Sequence, residues 1–196
     1  FPQFFGDDWN RTYAAFRLES ERFPGLTAKD GSYSKQEFID LQRMGLEYGV
    51  RIIPEIDIPA HSLAFAHYKP EIASRKYGMD HLDLYKKETY QFVDSLLDEY
   101  LSGDNPVFIG DLHIGTDEYN KKEAEQYRYF TDRYLKFVEK YGKNVRMWGG
   151  LKWLPGKTSV KAEGVTVNAW SYDWVDPVVS LQEGYKLINT CDTYLY

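Results

Sequence analysis

Two adjacent carboxylates form the part of this sequence best suited to acid–base chemistry. Residues 112–119 read Leu-His-Ile-Gly-Thr-Asp-Glu-Tyr, so Asp117 and Glu118 directly follow a short apolar stretch. Successive side chains of an extended strand point to opposite sides, and each carboxylate at a strand tip can therefore take its own role. An Asp-Glu pair is also typical of a solvated helix start, and a helix is predicted just beyond it. The segment alone leaves both interpretations open.

A second acidic segment, residues 54–61, combines carboxylates with a histidine and two prolines. It reads Pro-Glu-Ile-Asp-Ile-Pro-Ala-His, which brings Glu55, Asp57 and His61 close together in the chain. The prolines favour a stiff loop at the end of another strand. A turn with a surface histidine explains the same pattern, so this segment also leaves two interpretations open.

Further polar and aromatic residues fall near the ends of other predicted strands. Asp7 and Asp8 precede Trp9, and a salt-bridged structural loop explains them as well as a functional role does. Several aromatic residues near strand ends suit stacking on sugar rings, although packing in a core is the default for any single tryptophan. The aromatic candidates are Trp148, Trp153, Trp170 and Tyr194.

Alternating helix and strand patterns must position these residues. Helices are predicted over residues 34–48, 86–101, 121–141 and 177–183, the first because Ser34 and Glu37 form a capping box. Strands are predicted over residues 50–57, 108–114, 145–148, 165–170 and 185–189. Repeated β-then-α units indicate a parallel sheet, either in a (β/α)8 barrel or in an open doubly wound sheet.

The distribution of reactive residues favours the barrel. Carboxylates or aromatic residues follow nearly every predicted strand, and a barrel places functional groups at the carboxyl ends of many successive strands. An open sheet concentrates them at one switch point, and the sequence has no glycine-rich phosphate loop. We therefore predict an α/β fold built as a (β/α)8 TIM barrel.

Composition argues against several other functional classes. The 196 residues suit one globular domain spanning 1–196, and the net charge of −6 argues against nucleic acid or an anionic membrane as the main partner. Cys191 is the only cysteine, which excludes an intrachain disulfide and a cysteine-cluster zinc site. No apolar run approaches the ~20 residues of a membrane span. Because residue 1 lies inside an apolar-aromatic stretch, we expect a fragment.

Taken together, these segments resemble glycoside hydrolase family 20, the β-N-acetylhexosaminidases. Residues 113–118 are similar to the family's H-x-G-G-D-E motif, and residues 54–61 to its P-E-I-D-x-P-G-H loop. Asp7-Asp8 resembles the family's D-D after the second barrel strand, residues 16–19 its W-R-L-E, and residues 192–195 its seventh-strand Tyr-Leu. The family's first strand with its arginine and its eighth strand with its tryptophan have no counterpart. The resemblance therefore implies about strands two to seven of the barrel.

The chain departs from the family pattern at several positions. Thr116 stands where glycine or alanine is usual, and Ala60 replaces a glycine. The pair Gly149-Gly150 follows Trp148 where an acidic residue is common. Tyr196 stands where the family often has an aspartate that contacts a sugar hydroxyl. The first two changes are expected to shift loop geometry, and the last weakens one expected substrate contact.

The resemblance implies hydrolysis of terminal β-linked N-acetylglucosamine or N-acetylgalactosamine from the non-reducing end, with retention. The substrate's own 2-acetamido oxygen is then the nucleophile and forms an oxazolinium intermediate. Glu118 is expected to protonate the leaving oxygen and later deprotonate water. Asp117 is expected to accept the amide N–H and to balance the positive charge of the ring.

The same resemblance implies a set of substrate-binding residues and no metal or organic cofactor. Tyr194 is expected to donate its phenol to the acetamido oxygen, and Trp148 and Trp170 to wall the pocket. His61, linked to Asp7 or Asp8, is expected to hold Glu118. His113 completes the set. The implied partner is a carbohydrate with a terminal N-acetylhexosamine, and family habit implies a secreted, periplasmic or lysosomal protein.

Two interpretations from other functional classes stay open. Acidic residues and histidines of both motif segments can line a divalent-metal barrel, such as an isomerase or a metallohydrolase. A non-catalytic sugar-binding relic is the other alternative, given the missing strands and the changes at Thr116 and Tyr196. The residues of the metal alternative are Glu55, Asp57, His61, His113, Asp117 and Glu118.

Overall fold

A computed structural model describes residues 13–195 of the chain. These residues divide into two compact units, one with residues 13–53 and 61–110 and the other with residues 54–60 and 111–195. In chain order the elements are α1 (Lys35–Glu47), β1 (Glu55–Ile58), α2 (Leu63–Tyr68), β2 (Ala73–Ser74), β3 (Gly78–Leu82), α3 (Lys87–Leu101), β4 (Leu112–Gly115), α4 (Ala124–Glu139), β5 (Val145–Trp148), β6 (Val165–Ala169), α5 (Pro177–Gln182), β7 (Lys186–Asn189) and α6 (Asp192–Leu195).

The first unit, residues 13–53 and 61–110, contains helices α1 to α3 and the small antiparallel pair β2–β3. The predicted capping box at the start of α1 is confirmed, since Ser34 and Glu37 satisfy each other's backbone N–H groups. Gln42 of α1 is buried because its amide binds the chain just before β4: its N–H donates to the Val107 carbonyl, and its oxygen accepts from the Ile109 N–H. Helix α2 and the β2–β3 pair had no predicted counterpart.

The second unit, residues 54–60 and 111–195, is built on a five-stranded sheet in the order β1-β4-β5-β6-β7, with all neighbouring strands parallel. The order follows the chain without reversal, as consecutive units of a barrel require, whereas a doubly wound sheet reverses its order at a switch point. Strand β5 has the predicted bounds. The predicted strand over residues 50–57 is shorter, because Pro54 lacks an N–H and contributes only its carbonyl, which accepts from the His113 N–H at 2.9 Å.

The two faces of this sheet differ in character. Val145 and Met147 of β5 are buried, as are the alternate residues of β6, and together they form the apolar face. The opposite face is polar, because the register pairs His113 with Arg146 and Trp148 with Asn168. The candidate functional residues of β1, β4 and β5 therefore lie on the polar face.

Helix α4 holds the long connection between β5 and β6, in which no helix forms among residues 149–164. Glu125 accepts from the N–H groups of Lys157 and Thr158 at 2.5 and 2.9 Å and from the Thr158 hydroxyl at 2.6 Å. These hydrogen bonds lower the pKa of Glu125 to about 2. Arg128 donates to the Thr158 carbonyl at 2.7 Å, and Asp132 accepts from the Lys161 N–H at 2.9 Å. One face of α4 thus replaces the missing helix as support for this connection.

None of the helices described over residues 13–195 is long and apolar enough to cross a membrane.

Candidate active site

The end of β4 is an abrupt turn made by two residues with left-handed backbone conformation. Gly115 has a φ of +69° and Thr116 a φ of +67°, so the chain leaves the sheet at once. Asp117 follows and is buried with 8% of its surface exposed, whereas Glu118 is exposed. The two neighbouring carboxylates therefore sit in different surroundings, as different chemical roles require.

Strand β1 comes very close to this turn at Gly115. A Cβ added to Gly115 would lie 1.8 Å from Asp57 Oδ1 and 2.6 Å from the Asp57 Cα. The pairing register of β1 and β4 shifts between Glu55 and Ile58, which inserts one additional residue on β1 and brings Asp57 against Gly115. As a result, carboxylate oxygens of Asp57 and Asp117 lie within 4.8 Å of each other. The two motif segments of the sequence thus meet at these aspartates.

His113 of β4 is a buried, uncharged imidazole at neutral pH. Burial lowers its pKa from 6.5 to about 4, more than the Asp117 charge raises it. Its Nδ1 accepts from the Gly115 N–H at 3.1 Å, so the ring proton is on Nε2, which has no hydrogen-bond partner among the described residues. Glu55 Oε2 lies 3.8 Å from Nδ1, but with a neutral ring this contact is not an ion pair. The site therefore contains a buried N–H donor.

Tryptophans stand at the carboxyl ends of β5 and β6, as the sequence predicts. The Trp148 indole N–H donates to Glu55 Oε1 at 2.8 Å, and its ring centroid is 4.9 Å from that of His113. The Trp170 indole N–H donates to the Gly149 carbonyl at 2.9 Å. Both side chains are half-buried and fixed by hydrogen bonds, so each offers a rigid aromatic surface.

Trp170 and Trp153, both candidates from the sequence, belong to one row of aromatic rings through Trp174, which sequence reasoning missed. The Trp170 ring lies 5.4 Å from that of Trp174, which lies 5.0 Å from that of Trp153. The Lys121 ammonium lies 3.3 Å from the Trp153 ring centroid and closes the row with a cation–π contact. The spacing of Trp170 and Trp174 was an available signal, but Lys121 is distant in sequence and could be recognised only from the fold.

Tyr194 corrects one expectation about secondary structure. The resemblance put residues 192–195 on the seventh strand, but β7 ends at Asn189 and Tyr194 lies in the short helix α6. The reason is local: the Asp192 carboxylate accepts from the Thr193 N–H at 2.7 Å and from its hydroxyl at 3.1 Å, which favours a helical turn. Tyr194 is 69% exposed, with its ring 5.5 Å from that of Tyr172.

The remaining predicted site residues belong to the first unit or lie outside the described residues. His61 belongs to the first unit, where it precedes α2, is half-buried and has a φ of +51°. Asp7, Asp8 and Tyr196 lie outside the described residues. The second unit brings together Asp57, His113, Asp117 and Trp148, and the roles of His61 and of Asp7-Asp8 stay predictions.

The family model of the catalytic domain of glycosyl hydrolase family 20 matches residues 11–128, which is more than half of the chain. The chain belongs to this family. A β-hexosaminidase from Arthroderma benhamiae is 29% identical over 209 residues. The match covers 87% of the present chain and 34% of that protein. The segment that the family model matches, residues 11–128, includes β1, β4 and the Asp117-Glu118 pair.

Solved structures confirm the predicted α/β barrel fold. The family 20 β-N-acetylhexosaminidase from Streptomyces coelicolor A3(2) is 26% identical with a TM-score of 0.71, over 89% of this chain and 39% of that chain. A Streptomyces plicatus β-hexosaminidase, solved with the product GlcNAc, is 24% identical with a TM-score of 0.71, over 88% and 38% of the two chains. The present chain spans between 21% and 37% of the length of three curated relatives.

Replacing Gly115 by alanine is expected to destabilise the protein by at least about 2 kcal/mol, because the added Cβ overlaps Asp57 and the left-handed backbone disfavours a side chain. Urea unfolding measures the loss. Gly110→Ala is the matched control, since a Cβ there meets nothing within 4 Å, and it should change stability by less than about 1 kcal/mol. Equal effects of the two substitutions would contradict the close approach of β1 and β4.

His113 is expected to make stability fall with acid. As pH falls, the ring in the unfolded chain, with a pKa near 6.5, takes up a proton before the ring in the folded chain, whose pKa is about 4. The stabilising contribution of the neutral ring is therefore present above pH 6.5 and is lost as pH falls toward 4. The full effect is about 3 kcal/mol. His113→Asn keeps an acceptor for the Gly115 N–H but cannot titrate. Its unfolding free energy should therefore fall less over this range than that of the wild type, and parallel curves would refute the buried neutral ring.

Proposed function

We propose that the protein containing this chain is a retaining β-N-acetylhexosaminidase that removes terminal β-linked N-acetylglucosamine or N-acetylgalactosamine from glycans. The observation that most supports this proposal is the Asp117-Glu118 pair at the end of β4, with one carboxylate buried and the other exposed. Related proteins named β-hexosaminidase support the reaction class, and the Streptomyces plicatus enzyme is described in complex with GlcNAc. A secreted, periplasmic or lysosomal location is part of the proposal.

In the proposed first step, Glu118 donates a proton to the glycosidic oxygen as its bond to C1 breaks. The substrate's acetamido oxygen forms the new bond to C1 from the opposite face, which gives an oxazolinium ring. In the second step, water attacks C1, the oxazolinium bond breaks, and Glu118 accepts the water proton. The exposed position of Glu118 lets both the leaving sugar and the water reach it, and the acid role requires that the bound substrate partly desolvates this carboxyl.

Asp117 is proposed to accept the acetamido N–H and to stabilise the positive charge that develops on the ring nitrogen. Its buried position makes this electrostatic interaction stronger than it would be in water. Asp57, with a carboxylate oxygen within 4.8 Å of one of Asp117, adds negative charge on the same side. The two aspartates together favour a cationic intermediate over a neutral ground state.

The sugar ring is proposed to lie among rigid donors and aromatic surfaces. The buried Nε2–H of His113, which has no partner among the described residues, can donate to a substrate hydroxyl. Trp148 and Trp170 are proposed to contact the sugar ring and the acetamido methyl group. Tyr194 is proposed to donate to the acetamido oxygen, and its exposed place in α6 leaves its hydroxyl accessible.

A divalent-metal enzyme is the second candidate, favoured by the closeness of the Asp57 and Asp117 carboxylates, which can supply two oxygen ligands. Chelation discriminates between the two candidates. Full activity after exhaustive dialysis against a chelator supports substrate assistance, and activity lost on chelation but restored by a divalent ion supports the metal enzyme.

Glu118→Gln in the intact protein is expected to lower the hydrolysis of substrates with poor leaving groups by ~10²–10⁴-fold. Activated aryl glycosides should keep a nearly normal first step, because their leaving oxygen needs little protonation. Steady-state and burst kinetics on both substrate types measure the difference. Glu163→Gln, an exposed carboxylate between β5 and β6, is the control. An equal loss on both substrate types would remove Glu118 from the acid role.

Asp117→Asn is expected to weaken binding of a thiazoline analogue of the oxazolinium more than binding of free N-acetylglucosamine, because only the former resembles the charged intermediate. Calorimetric titration of both ligands measures the two losses, with Asp104→Asn as an exposed control. Substrates without the 2-acetamido group should be nearly inert. Comparable hydrolysis of a plain β-glucoside would end the proposed mechanism, and N-acetylglucosamine binding without turnover would favour a relic.

A further inference from the structure

Thr116 adopts a backbone conformation that a β-branched residue rarely adopts. Its φ of +67° places it in the left-handed region, where the side chain crowds the backbone. Three hydrogen bonds hold it there. Its N–H donates to the Ile58 carbonyl at 2.9 Å, and its hydroxyl donates to the Gly115 carbonyl at 2.6 Å. Its own carbonyl accepts from the hydroxyl of Tyr127 on α4.

The hydrogen bond from Tyr127 acts on the peptide group that leads into Asp117. The Thr116 carbonyl and the Asp117 N–H belong to one planar peptide group. A hydrogen bond to the carbonyl therefore fixes the orientation of that peptide group and of the backbone that enters Asp117. Tyr127 is buried with 1% of its surface exposed. Burial raises the pKa of its hydroxyl, which therefore remains a donor at all working pH values.

Gly150 makes room for this hydroxyl. A Cβ added to Gly150 would lie 2.7 Å from the Tyr127 hydroxyl oxygen and 3.2 and 3.4 Å from the carbonyl oxygens of Asp117 and Thr116. Any side chain at this position would press on the hydroxyl or on the turn after β4. Two departures from the family pattern, Thr116 and Gly150, therefore contact the same tyrosine.

We propose that Tyr127 is a positioning residue for the Asp117-Glu118 pair, and that its hydroxyl, for which Gly150 leaves space, holds Thr116 in the left-handed conformation that aims the two carboxylates. This proposal rests on the proposed function. It assigns to the Thr116–Tyr127–Gly150 cluster a role in catalytic geometry, although none of the three residues touches the reacting atoms.

The test is a double-substitution cycle in the intact protein. Tyr127→Phe removes only the hydroxyl and should lower kcat about tenfold, with KM changed less than about threefold, because displaced carboxylates affect the transition state more than substrate binding. Thr116→Gly relieves the left-handed strain, so in that background Tyr127→Phe should cost less than about threefold. Tyr134→Phe, a buried tyrosine two turns along α4, controls for the loss of any buried hydroxyl.

A second pair of variants tests the space at Gly150. Gly150→Ala should lower kcat because its methyl group displaces the Tyr127 hydroxyl, and adding Tyr127→Phe should recover part of that loss by removing the obstructed atom. Thermal unfolding confirms that each variant is folded. If the two substitutions of each pair lower kcat by independent factors, or if Tyr127→Phe is fully active, the positioning role is wrong while the proposed hydrolase function is unaffected. A folded wild-type protein that is inert toward acetamido substrates would instead overturn the proposed function, and this role with it.

Discussion

The close approach of β1 to the end of β4 is the constraint on which the candidate site depends. Gly115 has no side chain, and only for that reason can Asp57 occupy the space beside it. The left-handed turn that follows places the buried Asp117 with a carboxylate oxygen within 4.8 Å of one of Asp57. Two carboxylate groups this close together favour a positively charged species next to them. The packing of two strands thereby creates the electrostatic preference that the proposed cationic intermediate needs.

Helix α4 supports the segments that follow β4 and β5. Tyr127 reaches the turn after β4, while Glu125 and Arg128 bind the connection that follows β5. That connection carries the glycine pair whose first carbonyl accepts from Trp170. The same helix therefore holds both the turn that carries the carboxylates and the connection that binds the Trp170 side chain. Their relative positions depend on a rigid element rather than on loops, which is what precise alignment of a substrate requires.

Local patterns predicted the elements that local interactions determine. The capping box at Ser34, the bounds of β5 and the parallel sheet followed from spacing alone. Local patterns could not predict the register shift opposite Gly115, because it arises from pairing between segments more than fifty residues apart. Tyr127 falls within the predicted helix over residues 121–141, and no sequence pattern distinguishes a helical tyrosine whose hydroxyl donates to a backbone carbonyl. The link from His61 to Asp7 or Asp8 stays a prediction from the motif resemblance.

Two of the departures from the family pattern, Thr116 and Gly150, are better understood as one coupled change than as separate weaknesses. Thr116 raises the cost of the left-handed turn, the Tyr127 hydroxyl lowers it, and Gly150 leaves the space in which that hydroxyl can act. Residues in direct contact through one hydrogen-bonded cluster do not contribute additively. A motif compared position by position therefore overstates the damage done by Thr116, because the compensating groups lie on a different helix and after a different strand. The same turn can be held in place by a glycine's conformational freedom or, as here, by hydrogen bonds around a threonine.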